Sequence, residues 1–194
     1  HIEGIIIRDE ARSQALSSLA KDDDIRAVIV HIDSPGGSVV GGEDLYNSLR
    51  GISEHKPVAA IMGTVATSAA YMAGIAADQV WAREGTVTGS IGVILQSANI
   101  TDLLERIGVE PVTIKSSELK GTPSPFEPLT KEARAATQDV IQDLYEFFVG
   151  IVIDRRPIES GAARELADGR IFSGRQAVDH GLIDAIGGEK EAVS

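Results

Sequence analysis

The chain has 194 residues, 43% apolar and 24% charged, which suits a single domain with a sizeable core. Its formal net charge of −11 comes with no lysine–arginine cluster, which disfavours nucleic acid and an anionic lipid surface as partners. It has no cysteine, which excludes disulfides, thiolate metal sites and a cysteine nucleophile, and no run reaches the ~20 apolar residues of a membrane span.

The opening "HIEGIII" reads at once as a strand over 5–7, with no secretory leader ahead of it. The chain is therefore expected to be the soluble part of a longer protein whose anchor lies on the N-terminal side. Residues 10–21 read as a helix, with Ala11, Ala15, Leu16 and Leu19 at helical spacing. "IRAVIVHID" (25–33) is apolar enough to be a strand covered on both faces. "SPGGS" follows and leads into a helix over about 41–50. "PVAAIMG" (57–63) is a further buried strand, and a helix carrying Ser68 comes directly after it. "QVWA", "SIGVIL" and "PVTI" (111–114) read as short strands. "NITDLLERIG" reads as a helix capped by Asn99 or Thr101 and stopped by Gly108. This strand–helix alternation predicts parallel βαβ units.

"GTPSPFEP" (121–128) is a proline-punctuated loop ahead of the longest predicted helix, 130–155. Its stripe of Val140, Ile141, Leu144, Phe147, Phe148, Ile151 and Val152 marks a core face or an oligomer interface. A short helix at 160–167 and "SGRQAVDHG" (173–181), capped by Ser173 and stopped by Gly181, complete the pattern.

Two turns could carry chemistry. "DSPGGS" (33–38) ends a buried strand with Pro35 and the permissive pair Gly36-Gly37, offering backbone N–H groups at the edge where open α/β sheets bind ligands. It is either a plain strand-to-helix turn or an oxyanion hole. It is neither a dinucleotide fingerprint nor a phosphate loop, since the glycine spacing and the Gly-Lys-Ser/Thr are missing. In "GTVATSAAYMAG" (63–74), Ser68 lies among small residues after a strand, as a helix cap or a nucleophile.

A nucleophilic serine needs a base. The four histidines are His1, His31, His55 and His180, none between 56 and 179, so a base shortly downstream of Ser68 cannot be histidine. Lys115 and Lys120 remain, in "TIKSSELKGTPSP". At an ordinary pKa near 10.4 only about 1 lysine in 2,500 is neutral at pH 7. Lowering it to about 7.5 takes roughly 4 kcal/mol of desolvation or charge repulsion.

"HIDSPGG", "GTVATSAAYMAGIAADQVWA", "GTVTGSIGV", "IKSSELKGTPSPF" and "GRIFSGRQAVDHGLIDAIGG" occur in the order found in the signal peptide peptidase A (protease IV) family, and the chain resembles its single-domain bacterial form from about Ile5 to Gly188. The resemblance implies an α/β fold of the crotonase/Clp-protease type, a spiral of repeated βαβ units with additional C-terminal helices, over 1–194 as one catalytic domain. It also implies a serine endopeptidase with a Ser-Lys dyad that degrades cleaved signal peptides. Carried over by position, the nucleophile falls on Ser68, the base on Lys120 and the hydroxyl that orients the lysine on Ser90. The oxyanion donors fall on the N–H groups of Gly37, with Gly36 as neighbour, and of Ala69. Lys115 is left to solvent.

Where the family often has Gly-Gly after the serine, this chain has Ala69-Ala70, which keeps the N–H but narrows the approach for a bulky substrate. No metal or cofactor is implied. The implied partners are hydrophobic peptides and further copies of the chain in a closed ring, able to dry a lysine that one 20.5 kDa subunit would leave wet. The implied location is the bacterial cytoplasmic membrane, with the catalytic domain on its extracytoplasmic side. Two rivals are a crotonase-type acyl-CoA enzyme, which would need neither Ser68 nor Lys120, and a non-catalytic scaffold at the membrane.

Overall fold

A computed structural model of the chain describes residues 1–193. Residues 1–92 together with those from 147 onward form one unit, and 93–146 form a second.

In the first unit, strands β1 (Ile2–Ile6), β2 (Val28–Gly37), β3 (Val58–Thr67) and β4 (Gln79–Ala82) alternate with helices α1 (Glu10–Lys21), α2 (Val39–Ser53) and α3 (Ala69–Gly74). Each strand lies parallel to the one before it, so successive βαβ units advance in one direction across the sheet. Three further strands follow, one on this path and two beside it. β5 (Val87–Gly89) pairs parallel with the end of β3, and β6 (Ile171–Ser173) pairs antiparallel with β5. Beyond β6, α7 (Gly174–Asp179) leads to β7 (Ala185–Ile186), which adds parallel to β4.

The core follows from spacing. Leu45, Leu49 and Ile52 form one face of α2 and are fully buried, each contributing about 1.5–3 kcal/mol. Helix α3 is buried on every side, which its small residues permit. A Cβ on Gly42 would lie 2.9 Å from that of Ala69, and one on Gly74 would lie 2.9 Å from Met62 Cε. The alanine–glycine run after Ser68 is therefore close helix packing. Tyr71 is fully buried, and its hydroxyl donates to the Leu182 carbonyl at 2.9 Å. Burial pushes that hydroxyl well above the usual tyrosine range. Arg156 donates to Gly181 O and pairs with Asp184 at 2.9 Å, and Asp184 accepts from Val80 N–H.

Strands β2 and β3 run four residues beyond their expected ends, so that "SPGG" belongs to β2 and is not a separate turn after it. Asp33 explains part of this. The β2–β3 register shifts between Ile32 and Ser34, and the Asp33 carboxylate accepts from Val65 N–H and Thr64 N–H on β3 across the irregularity.

Two strand expectations fail. "SIGVIL" is not a strand: the strand lies earlier, at β5, and ends where Gly89 (φ 81°) and Ser90 (φ 52°) turn the backbone out of the extended region. "PVTI" has no pairing partner among the described residues, and Val112 and Ile114 are 82% and 95% exposed. Apolar β-branched runs satisfy strand propensity, but only a neighbouring strand satisfies their backbone groups.

The second unit holds α4 (Thr101–Arg106) and the start of α5 (Lys131–Arg155). Asn99 accepts from Thr101 N–H at the start of α4, and Gly108 at φ 74° follows its end. The stripe on α5 divides in two. Val140 is exposed, whereas Phe148, Ile151 and Val152, in the first unit, are core. After α5 comes α6 (Ser160–Leu166), capped by the Glu159 carboxylate, and the last helix is α8 (Glu189–Ala192). Ser173 caps α7 through a complete capping box with Gln176.

Candidate active site

Ser68 is the hinge between β3 and α3. Its N–H donates to Gly89 O at 2.8 Å and its carbonyl accepts from Met72 N–H, so both of its backbone groups are committed. Its dihedrals, φ 55° and ψ −123°, are ones that residues with a side chain rarely adopt and that cost about 1–3 kcal/mol. Although Ser68 occupies the cap position of α3, its hydroxyl makes no capping hydrogen bond and the residue is partly exposed. The helix-cap reading of Ser68 therefore has no hydrogen bond behind it. A strained strand-to-helix turn that presents a free hydroxyl is the geometry of a nucleophile elbow.

The end of β2 lies directly against this turn. A Cβ built on Gly36 would come within 2.8 Å of Thr67 O, 2.9 Å of Ser68 Cβ and 3.1 Å of Ala69 N. Gly36 itself sits at φ 103°, so both space and backbone demand glycine. Its N–H is taken by the Ser34 hydroxyl at 3.1 Å. One residue beyond Gly37, Ser38 N–H donates to Ile6 O on β1, which fixes the end of β2 against that strand. Ala69 opens α3, so its N–H has no partner within the helix.

Ser90 lies beside the same turn. Thr67 pairs with Gly89, and Ser90 N–H donates to Arg170 O. Ser68 and Ser90 are the non-glycine residues with positive φ among the described residues. The first unit thus gathers Ser68, Ser90, Ala69, Gly36 and Gly37.

Lys120 belongs to the second unit. It is exposed, in the loop between α4 and α5, and its N–H donates to Ser117 O at 3.1 Å ahead of Gly121 at φ 81°. Lys115 corrects an expectation. Its side chain is 16% exposed and ion-paired with Glu127 instead of lying free in solvent. The pair lines a cavity of about 240 Å³ with Leu119, Pro123 and Ala133, and its two residues bracket the loop that carries Lys120. The Lys115 ammonium holds the Glu127 carboxyl below the usual glutamate range, through its hydrogen bond first and its charge second. Among the described residues no group of three or more His, Asp or Glu side chains could hold a metal ion, and no helix is long and apolar enough to cross a membrane.

Absent from the sequence-based expectations are Asp33, Ser34 and Thr67. Ser34 was legible in part, because a serine two residues before a glycine can close a local turn through its hydroxyl. The Thr67 bond to Pro35 O at 2.9 Å joins positions 32 residues apart and leaves no local signal.

Comparison with known proteins assigns the family. The model of peptidase family S49 matches residues 51–194, about three-quarters of the chain. The chain belongs to that family. A Synechocystis relative named "putative protease" is 40% identical over 166 residues, covering 86% of this chain and 60% of its own. The chloroplastic serine protease SPPA of Arabidopsis thaliana is 32% identical over 194 residues, covering 98% of this chain and 28% of its own. The chain thus spans less than two thirds of the length of these relatives. Among solved structures, a ClpP1 variant from Listeria monocytogenes superposes with a TM-score of 0.62 at 14% identity, covering all of this chain and 92% of that one. This establishes the Clp-protease fold.

Proposed function

We propose that this S49 peptidase domain is a serine endopeptidase in which Ser68 is the nucleophile and Lys120 the general base. The observation that carries the reading is the strained backbone of Ser68, whose hydroxyl caps nothing and whose Cβ and following amide lie against Gly36. Ser68 Oγ attacks the peptide carbonyl as neutral Lys120 takes its proton, and the tetrahedral oxyanion forms against the N–H groups of Gly37 and Ala69. Lys120 then returns the proton to the leaving amine, and water resolves the acyl-enzyme by the same steps in reverse order. Ser90 orients the lysine. The proposed catalytic domain is the whole of residues 1–194.

The pairing of Lys115 with Glu127 supports Lys120 as the base, because the Lys115 amino group is already engaged. The proposed substrates are hydrophobic peptides, cleaved signal peptides among them, at the bacterial membrane. The proposed assembly is a ring of several copies, in keeping with the exposed apolar side chains Ile94, Val112, Ile114 and Val140.

The test is cleavage of a hydrophobic signal-peptide mimic at pH 8, followed by mass spectrometry, with Ser68→Ala and Lys120→Ala alongside. Cutting by the wild type alone, with both variants folded, is expected. Cutting by Lys120→Ala would remove lysine 120 as the base. Cutting by Ser68→Ala would remove the serine mechanism.

A further inference from the structure

Ser34 is fully buried although polar, and both of its hydrogen bonds go to backbone. Its hydroxyl donates to Gly4 O at 2.6 Å and accepts from Gly36 N–H at 3.1 Å. The Thr67 hydroxyl donates to Pro35 O at 2.9 Å. The Pro35 carbonyl and the Gly36 N–H are the two ends of one peptide group. Two side chains, one anchored to β1 and the other on the residue before Ser68, therefore grip the same peptide plane from opposite ends.

That plane adjoins the Gly36–Gly37 peptide, which carries the Gly37 N–H. With glycine on both sides, that amide has little steric preference of its own and could rotate its N–H away from Ser68. A fixed preceding plane removes half of that freedom. The grip also satisfies a buried N–H that would otherwise be orphaned.

We propose that Ser34 and Thr67 are positioning residues for the oxyanion site, clamping the Pro35–Gly36 peptide so that the Gly37 N–H stays aimed toward Ser68. This rests on the serine-peptidase reading above. The clamp acts on the transition state and not on substrate affinity, because the Gly37 amide matters only once the oxyanion forms.

The test is steady-state cleavage of the same peptide by the wild type, Ser34→Ala, Thr67→Val and Thr67→Ser, with Ser68→Ala as reference and folding checked by circular dichroism. Losing an oxyanion donor outright typically costs about 10²–10³ in kcat, so a misaimed one should cost about tenfold. Ser34→Ala and Thr67→Val are expected to lower kcat about tenfold with KM within about twofold of wild type. Thr67→Ser keeps the hydroxyl and is expected to restore kcat. Wild-type kcat in folded Ser34→Ala, a loss carried by KM alone, or a Thr67→Ser no better than Thr67→Val would each overturn the clamp. If Ser34→Ala does not fold, the Thr67 pair decides. A Ser68→Ala protein that still cleaves brings down the peptidase reading itself, whereas an inactive Ser68→Ala beside an unaffected Ser34→Ala brings down only the clamp.

Discussion

The two units of this chain solve opposite problems. The first spends Asp33, Ser34, Thr67 and the Gly89 carbonyl, all near Ser68, on backbone partners, while the Ser68 hydroxyl caps nothing. The second leaves Ile94, Val112, Ile114 and Val140 open to solvent, and its helix α4 buries no residue. A turn held by so many backbone partners suits a site that must keep a nucleophile and amides in place. An apolar and thinly packed unit suits one that completes its burial against something else.

The largest effect expected from breaking this contrast is at Ser68. Ser68→Ala should lower kcat by about 10³-fold or more while thermal unfolding stays near that of the wild type, since the hydroxyl caps nothing. Gly36→Ala comes next. Its methyl would meet Thr67 O and Ser68 Cβ at under 3 Å on a backbone at φ 103°, so cleavage should fall about 10²-fold or more, with a loss of stability readable by calorimetry.

Tyr71→Phe sharpens the comparison from the stability side. It leaves the buried Leu182 carbonyl without its partner and should cost about 1–3 kcal/mol in denaturant unfolding, with cleavage retained in the folded fraction.

The second unit should answer to acid. Glu127, paired with Lys115, has a carboxyl held below its ordinary value of about 4.3, so it stabilises the fold above that pH and loses the contribution as pH falls through the lower folded value. Asp168 beside Arg170 behaves alike in the first unit. Hydrogen exchange of 115–127 should therefore rise below about pH 4, and Glu127→Gln should show raised exchange at neutral pH with little further acid response. The smallest effect is at the open surface. Val112→Thr and Ile114→Thr should change folding stability by less than about 0.5 kcal/mol, while sedimentation velocity shifts toward smaller species if these faces meet in a ring.

The legibility of the chain follows the same division. Residues 10–21 are helical with the expected boundaries, and 79–82 form the expected strand. The parallel βαβ order was readable because apolar runs there alternate with helical spacing. "PVTI" was misread because its composition is that of a strand while its neighbours in space are not. At the candidate site, the closeness of Ser68 to the Gly36-Gly37 pair was suggested by small residues placed after buried strands. The Thr67–Pro35 bond could not be read this way, because it exists only once β2 and β3 lie side by side. Nor could the Lys115–Glu127 pair, which closes a loop whose shape no local pattern encodes.

The most direct test of the central claim is where a serine-reactive fluorophosphonate lands. The wild type, labelled at pH 8 and mapped by peptide mass spectrometry, should carry one adduct, on Ser68, and Ser68→Ala should carry none. An adduct on another serine, or a wild type that cleaves peptide yet stays unlabelled, would contradict Ser68 as the nucleophile.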